Sequence, residues 1–241
     1  MSLEENRASG NPALAMTGIR RLAAPSPGIA LWRCSVEPVA DILDLFEHSL
    51  SDAERARAAR FGTRQLRDRY VMGRGSLRTI LAAALGVSPA SVPIVRGTRG
   101  RPQLAGAPAP FDFNVSHTAD IAIVGIVRHG RIGVDVERLD RTINVEGIAR
   151  KFMTPGERDR LAAKDADAAR RDLLTLWTCK EAMSKATGDA LTAPFGSIDV
   201  AIEPQRIVRS GPGAYHPSDW SLHAVDIAPG FVATAALWNT A

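Results

Sequence analysis

The sequence predicts an α+β fold built from two similar α/β halves, and three observations carry the prediction. The first half opens on a short apolar strand, "GIALWRCSV" at 28–36, and runs through helices to strands, a course the second half repeats in its helices and closing strands. Each half contains a long helical segment, 63–86 in the first and 170–188 in the second, with apolar residues at helical rather than alternating spacing. Each closes on apolar strands of similar pattern, "ADIAIVGIV" (119–127) and "GFVATAALW" (230–238). The helical strings "GRGSLRTILAAALG" (73–86) and "TCKEAMSKATGDAL" (178–191) also share a faint register, as an old duplication would leave.

In chain order, residues 1–28 are rich in Ala, Pro, Gly and Ser and are expected to be a loosely ordered extension. The N-terminal subdomain is assigned to 29–130 and the C-terminal subdomain to 131–241. After the first strand, "VADILDLFEHSL" (39–50) has helical spacing, and Ser51 followed by Glu54 forms a capping-box pattern that starts the next helix. The helix over 63–86 stops at Gly86, where a residue without a side chain tolerates the left-handed cap. A Gly, Pro and Arg loop follows over 97–110, then strands over 111–137 with a turn at His129 and Gly130. In the second half "FMTPGERDRLAA" (152–163) reads as helical, and "IDVAI", "WSLHAVDIA" and "GFVATAALW" read as strands.

A chain of 241 residues with 45% hydrophobic and 23% charged residues can bury a substantial core and reads as soluble and globular. Its net charge is only +4, but the arginines of the first half predict a locally positive surface suited to an anionic ligand or an acidic protein partner. Cys34 and Cys179 stand in no metal-binding spacing, so reduced thiols and a cytoplasmic location are expected. No stretch approaches the roughly 20 apolar residues of a membrane span, and the start lacks the pattern of a signal peptide. A run of arginines from Arg55 to Arg78 raises nucleic-acid binding as a rival reading. Against it stand 5% aromatics and the lack of a nucleic-acid motif, so no nucleic-acid partner is expected.

The chemistry gathers in two places. In the extended segment "IGVDVERLD", Asp135 and Glu137 point to the same side about 7 Å apart, where two carboxylates repel unless solvent or a cation compensates. In "LWTCKEAMSKATG", Glu181 and Lys185 are spaced i, i+4 and share a helix face. Three carboxylates from two elements make a hard oxygen set suited to Mg²⁺, a metal that shares itself with substrate phosphates, and Lys185 lies within reach of such a phosphate. The loop "RGTRGRP" (96–102) and the strand "NVSH" (114–117) offer further anion donors.

The pair "IGVDVE" and "WTCKEAMSKA", about forty residues apart, together with "GRP" (100–102) and "FNVSH" (113–117), resembles the signature of the Sfp-type 4′-phosphopantetheinyl transferases. The resemblance spans nearly the whole chain after about residue 28, and the length matches the members with two subdomains rather than the short trimeric ones. It implies a pseudo-twofold fold and a holo-[acyl-carrier-protein] synthase activity. Such an enzyme moves the phosphopantetheine arm of coenzyme A to a serine of an apo acyl or peptidyl carrier protein and releases 3′,5′-ADP, in the service of fatty-acid, polyketide or nonribosomal peptide synthesis. By the same resemblance Asp135, Glu137 and Glu181 are the Mg²⁺ (or Mn²⁺) ligands, and Glu181 takes the serine proton. Asp135, Glu181 and Lys185 are then the catalytic set, with Lys185 holding the pyrophosphate. Arg57 falls where the nucleotide phosphates are held, and Arg99, Gly100, Arg101 and Pro102 where the adenosine is gripped. Asn114, Ser116 and His117 fall in a further phosphate-contacting strand. A monomer is expected, because one chain supplies both halves of the seam. A catalytically dead scaffold and a metal-dependent hydrolase of coenzyme A are the remaining alternatives.

Overall fold

The computed structural model describes residues 17–97, 99–106, 109–203, 206–209 and 213–239, so residues 1–16 of the expected extension lie outside it. The rest of that extension is not loose throughout. Ile19–Arg21 (β1) pairs antiparallel with Ile29–Ser35 (β2), Ile19 opposite Cys34, and Ile19 is buried. The small and turn-forming residues around it mask the one apolar side chain that fixes this edge strand in the core.

The first half continues through the helices Ala40–Ser49 (α1), Asp52–Ala58 (α2) and Arg64–Leu85 (α3). A two-stranded ribbon follows, Ile94–Arg96 (β3) and Pro102–Leu104 (β4), then the hairpin Asp112–Thr118 (β5) and Ile121–Val127 (β6). The expected capping box is present: the Ser51 hydroxyl accepts from the Glu54 amide, and the Glu54 carboxylate accepts from the Ser51 amide. Gly86 closes α3 in the left-handed conformation, at φ 71. The sequence reading missed the ribbon inside the Gly, Pro and Arg loop. Pro102 can begin β4 because a first strand position needs no amide donor.

The second half is Arg131–Arg138 (β7), Val145–Phe152 (α4), Pro155–Ala162 (α5) and Ala166–Thr187 (α6), then Asp199–Ala201 (β8) and Arg206–Arg209 (β9). The hairpin Trp220–Ala224 (β10) and Phe231–Trp238 (β11) ends it. The two main sheets run β1-β2-β6-β5 and β10-β11-β7, with antiparallel neighbours throughout. β6 lies between β2 and its hairpin partner β5 as β11 lies between β7 and its hairpin partner β10, so these three-stranded units share one topology.

The likeness extends to a buried device. Arg78 and Lys180 occupy the same position along α3 and α6, each fourteen residues after the first. Arg78 donates to the capping glutamate Glu54 at 2.6 Å and to the carbonyls of Pro89, Ala90 and Val92. Lys180 donates to Glu157 at 2.7 Å, and Glu157 caps α5 with Thr154; its other bonds go to the carbonyls of Phe152, Phe195 and Ile198. Aligned on these cations and on Gly86 and Gly188, the helices match three residues away from the register read off the letter strings. Three residues are nearly one helical turn, so both registers keep the apolar face, and periodicity alone could not choose between them.

The helices cover the outer faces of the two sheets. A shared apolar layer that includes Ile29, Leu31, Ile121 and Ile123 of the first half and Val134, Val136, Ala233 and Ala235 of the second joins the halves. Of the eight arginines from 55 to 78, five are paired within the first half: Arg55, Arg64, Arg67, Arg74 and Arg78 meet Asp52, Asp68, Glu47 or Glu54. Much of the expected positive surface is therefore neutralised internally. No helix among the described residues is long and apolar enough to cross a membrane.

Candidate active site

The site is built where α6 lies on β7. Val134 and Val136 enter the shared apolar layer, so the alternate positions Gly133, Asp135 and Glu137 face the other way. A Cβ on Gly133 would sit 1.8 Å from the Ala182 carbonyl oxygen, so only glycine permits this approach of strand and helix. The approach brings the Glu181–Lys185 turn over Asp135.

Three predicted residues form one hydrogen-bonded knot. Lys185 Nζ lies 2.6 Å from Asp135 Oδ1 and 2.8 Å from Ser116 Oγ, and it reaches the Val134 carbonyl at 3.3 Å. Ser116 in turn donates to Asp135 Oδ1 at 2.8 Å. The three N–H groups of the ammonium are thus all engaged, and a phosphate that recruits Lys185 must displace one of these partners. Asp135 Oδ2 is buried and unpartnered. Burial raises the Glu181 carboxyl above its usual range, the charges of Asp135 and Glu137 raise it further, and Lys185 partly offsets them. Loss of water around the His117 ring, then the Lys185 charge, holds that imidazole below its ordinary value, with Asp135 acting in the opposite sense.

Asn114 and Arg101 lie beside this knot, in a seam between the two sheets. β7 is the edge strand of its sheet, and side chains from the first half satisfy its open backbone groups. Asp112 accepts from the Ile132 amide at 2.9 Å, and Asn114 Oδ1 accepts from the Val134 amide at 3.1 Å. Arg101 donates to the Ile132 carbonyl at 2.8 Å. Asp112, which the sequence reading did not single out, also grips Arg101 through both oxygens, at 2.9 and 2.7 Å. Its signal was present: Asp112, Asn114 and Ser116 are polar at period two, alternating with the apolar Phe113 and Val115. Replacing Asn114 with Ala leaves the buried Val134 amide without a partner. A loss of about 1–3 kcal/mol is expected, read as a lowered urea midpoint.

The remaining predicted residues are placed more widely. Arg99 pairs with Asp189 just beyond α6, and Tyr215 donates to the same carboxylate. Gly100 takes φ 79 in the tight β3–β4 turn, where Pro102 pairs with Arg96. Arg57 lies on α2 with its guanidinium 5.6 Å from the centre of the Tyr70 ring. Glu137 is held by Arg141 at 2.6 Å.

Among the described residues no three His, Cys, Asp or Glu side chains are gathered as a ready-made metal cluster. Internal cations hold two of the three acids, Lys185 on Asp135 and Arg141 on Glu137. The residues nonetheless fit a small hard cation. An unpartnered buried carboxylate oxygen stands beside a second carboxyl whose charge is disfavoured by its neighbours, and both oxygens suit Mg²⁺.

Comparison with known proteins places this geometry. A profile of the 4′-phosphopantetheinyl transferase superfamily matches residues 131–236, and a profile of the 4′-phosphopantetheinyl transferase N-terminal domain matches residues 32–127. The 4′-phosphopantetheinyl transferase HetI of Nostoc is 35% identical over 181 residues, 74% of this chain and 76% of the relative. The chain belongs to the 4′-phosphopantetheinyl transferase superfamily. A 4′-phosphopantetheinyl transferase of Bacillus subtilis is 31% identical over 156 residues, 64% of this transferase and 67% of the relative. The 4′-phosphopantetheinyl transferase Sfp of Bacillus subtilis strain 168 is 25% identical over 187 residues, 77% of this transferase and 81% of that protein. The profile match over residues 131–236 carries both "IGVDVE" and "WTCKEAMSKA", the segments that β7 and α6 bring together.

Proposed function

We propose that this enzyme transfers the 4′-phosphopantetheine arm of coenzyme A to a serine of an apo acyl or peptidyl carrier protein, releasing 3′,5′-ADP. The observation that carries the reading is the convergence of Asp135, Glu181, Lys185 and Ser116 where α6 meets β7, inside the superfamily match. Mg²⁺, or Mn²⁺ in its place, would be held by Asp135, Glu137 and Glu181, and it supplies charge neutralisation at the pyrophosphate. Glu181 receives the serine proton. Burial, and then the Asp135 charge, raise its affinity for protons. Lys185, released from Ser116 or Val134, offers its ammonium to the pyrophosphate and the departing 3′,5′-ADP, while the rest of its contacts keep it aimed. Ser116 and His117 stand on the same strand end as further donors to the ligand.

Two free, buried cysteines support a cytoplasmic setting, and burial pushes both thiols up to about 12, so neither is a reactive thiolate. A monomer suffices, since both halves of the seam belong to one chain. The test is intact mass spectrometry of an apo acyl carrier protein incubated with this enzyme, coenzyme A and Mg²⁺. One added phosphopantetheine, abolished by a chelator, is the expected result. Coenzyme A cleaved without transfer to any acyl or peptidyl carrier would replace the reading with a hydrolase.

A further inference from the structure

The loop that carries Arg101 was expected to grip the nucleotide, but its guanidinium is engaged elsewhere. Four of its five N–H groups are used within the protein. Nε donates to the Lys185 carbonyl at 2.8 Å, Nη1 to Asp112 Oδ1 at 2.9 Å, and Nη2 to Asp112 Oδ2 at 2.7 Å and the Ile132 carbonyl at 2.8 Å. The side chain is 10% exposed. These partners come from three elements: the first strand of the hairpin in the first half, the catalytic strand, and the last turn of the catalytic helix.

The bond to Lys185 is the informative one. The last carbonyls of a helix have no partner within it, and their orientation is free unless something outside fixes them. In α6 the Lys185 carbonyl is fixed from the other half by Arg101, and the Thr187 carbonyl from the same half by Arg131 at 3.4 Å. Positive groups there also favour the negative end of the helix dipole. Arg101 therefore holds the backbone of the residue whose ammonium sits 2.6 Å from Asp135, and through Ile132 it holds the strand that carries Asp135. Asp112 backs it on both oxygens, a bidentate geometry a lysine could not reproduce.

We infer that Arg101, braced by Asp112, is a positioning residue that sets Lys185 and Asp135 across the seam between the two halves, rather than a contact to the nucleotide. The inference rests on the transferase reading above. Positional errors of about 1 Å at a reacting centre cost up to 10²-fold in rate, so the seam acts on turnover while leaving the nucleotide subsite intact.

The experiment compares Arg101→Gln, Arg101→Lys and Asp112→Asn with the wild type. Steady-state transfer to an apo acyl carrier protein is measured alongside calorimetric binding of coenzyme A and of 3′,5′-ADP, at a temperature where each variant is folded by circular dichroism. The expected result is a kcat lowered about tenfold or more in all three, with both dissociation constants within about twofold of wild type. The Arg101→Gln and Asp112→Asn effects should also not add in the double variant, because each breaks the same bidentate pair. Should Arg101→Gln fail to fold, Asp112→Asn leaves the arginine in place and decides the matter alone. Weakened binding of 3′,5′-ADP by Arg101→Gln with kcat preserved overturns the inference in favour of a nucleotide contact. Unchanged kcat in Asp112→Asn overturns it in favour of a merely structural seam. A wild type that transfers nothing fails at an earlier point, in the control, and removes the transferase reading and this inference together.

Discussion

Glu181→Gln is expected to lower kcat for carrier modification by about 10²-fold or more, the usual contribution of a positioned proton acceptor, while coenzyme A binds within about twofold of wild type. The substitution keeps size and hydrogen-bonding shape but removes both charge and basicity. Two roles for Glu181 are then separable by titrating Mg²⁺. If the carboxylate only helps hold the metal, saturating Mg²⁺ restores the rate; if it takes the serine proton, the rate stays low at any metal concentration. Burial first, then Asp135 and Glu137, oppose ionisation of Glu181, and Lys185 only partly compensates, so the site gives this carboxyl a higher proton affinity than a solvent-exposed glutamate has. A Glu181→Gln enzyme with wild-type turnover would end the catalytic assignment, though not the family membership.

The residues that carry chemistry were legible because their spacing constrains geometry. The i, i+4 separation of Glu181 and Lys185 and the period-two separation of Asp135 and Glu137 each determine a shared face once the element type is known. Ser116 was legible as a donor at a strand end but not as the bridge between Lys185 and Asp135, since nothing in one strand states which strand or helix it will face. Arg101 shows the same limit more sharply. An arginine in a Gly and Pro loop reads as available to an anion, whereas the fold closes that loop onto Asp112, Ile132 and Lys185, between 11 and 84 residues away in sequence. Asp112 escaped attention because a single carboxylate at the start of a strand is commonplace. Lys180, one residue before Glu181, escaped for another reason. It points away from the catalytic face into a fully buried ion pair, and a lysine in a helix reads as a surface residue until its partner Glu157 is placed.

Lys180→Ala is the substitution expected to cost most in stability, about 3–5 kcal/mol, because it leaves a buried carboxylate and three carbonyls without their shared donor. The counterpart in the first half, Arg78→Ala, removes one of two cations from Glu54 and should cost less, because Arg74 stays 2.7 Å from the other carboxylate oxygen. Replacing Lys180 and Glu157 together by apolar residues should cost less than removing Lys180 alone, since no uncompensated charge is then buried. Glu54 adds a test by pH. Burial alone would raise its carboxyl, but the Arg78 bond, the Ser51 amide and the charges of Arg74 and Arg78 outweigh burial and hold it below the usual range. A carboxylate depressed in the folded state stabilises the protein above its unfolded value, about 4.3, and that contribution is lost as pH falls through the lower folded value. Arg78→Ala should therefore flatten the loss of stability below about pH 4.3 as well as lower the plateau above it. Urea unfolding followed at pH 7 and along this acid limb checks both. A single transition whose midpoint moves for both cation variants means that the halves unfold as one unit across the shared layer of Leu31, Ile123, Val134 and Ala235. Two transitions, each moved by its own variant, would mean that each half carries its own stability and the active site is lost when either one opens.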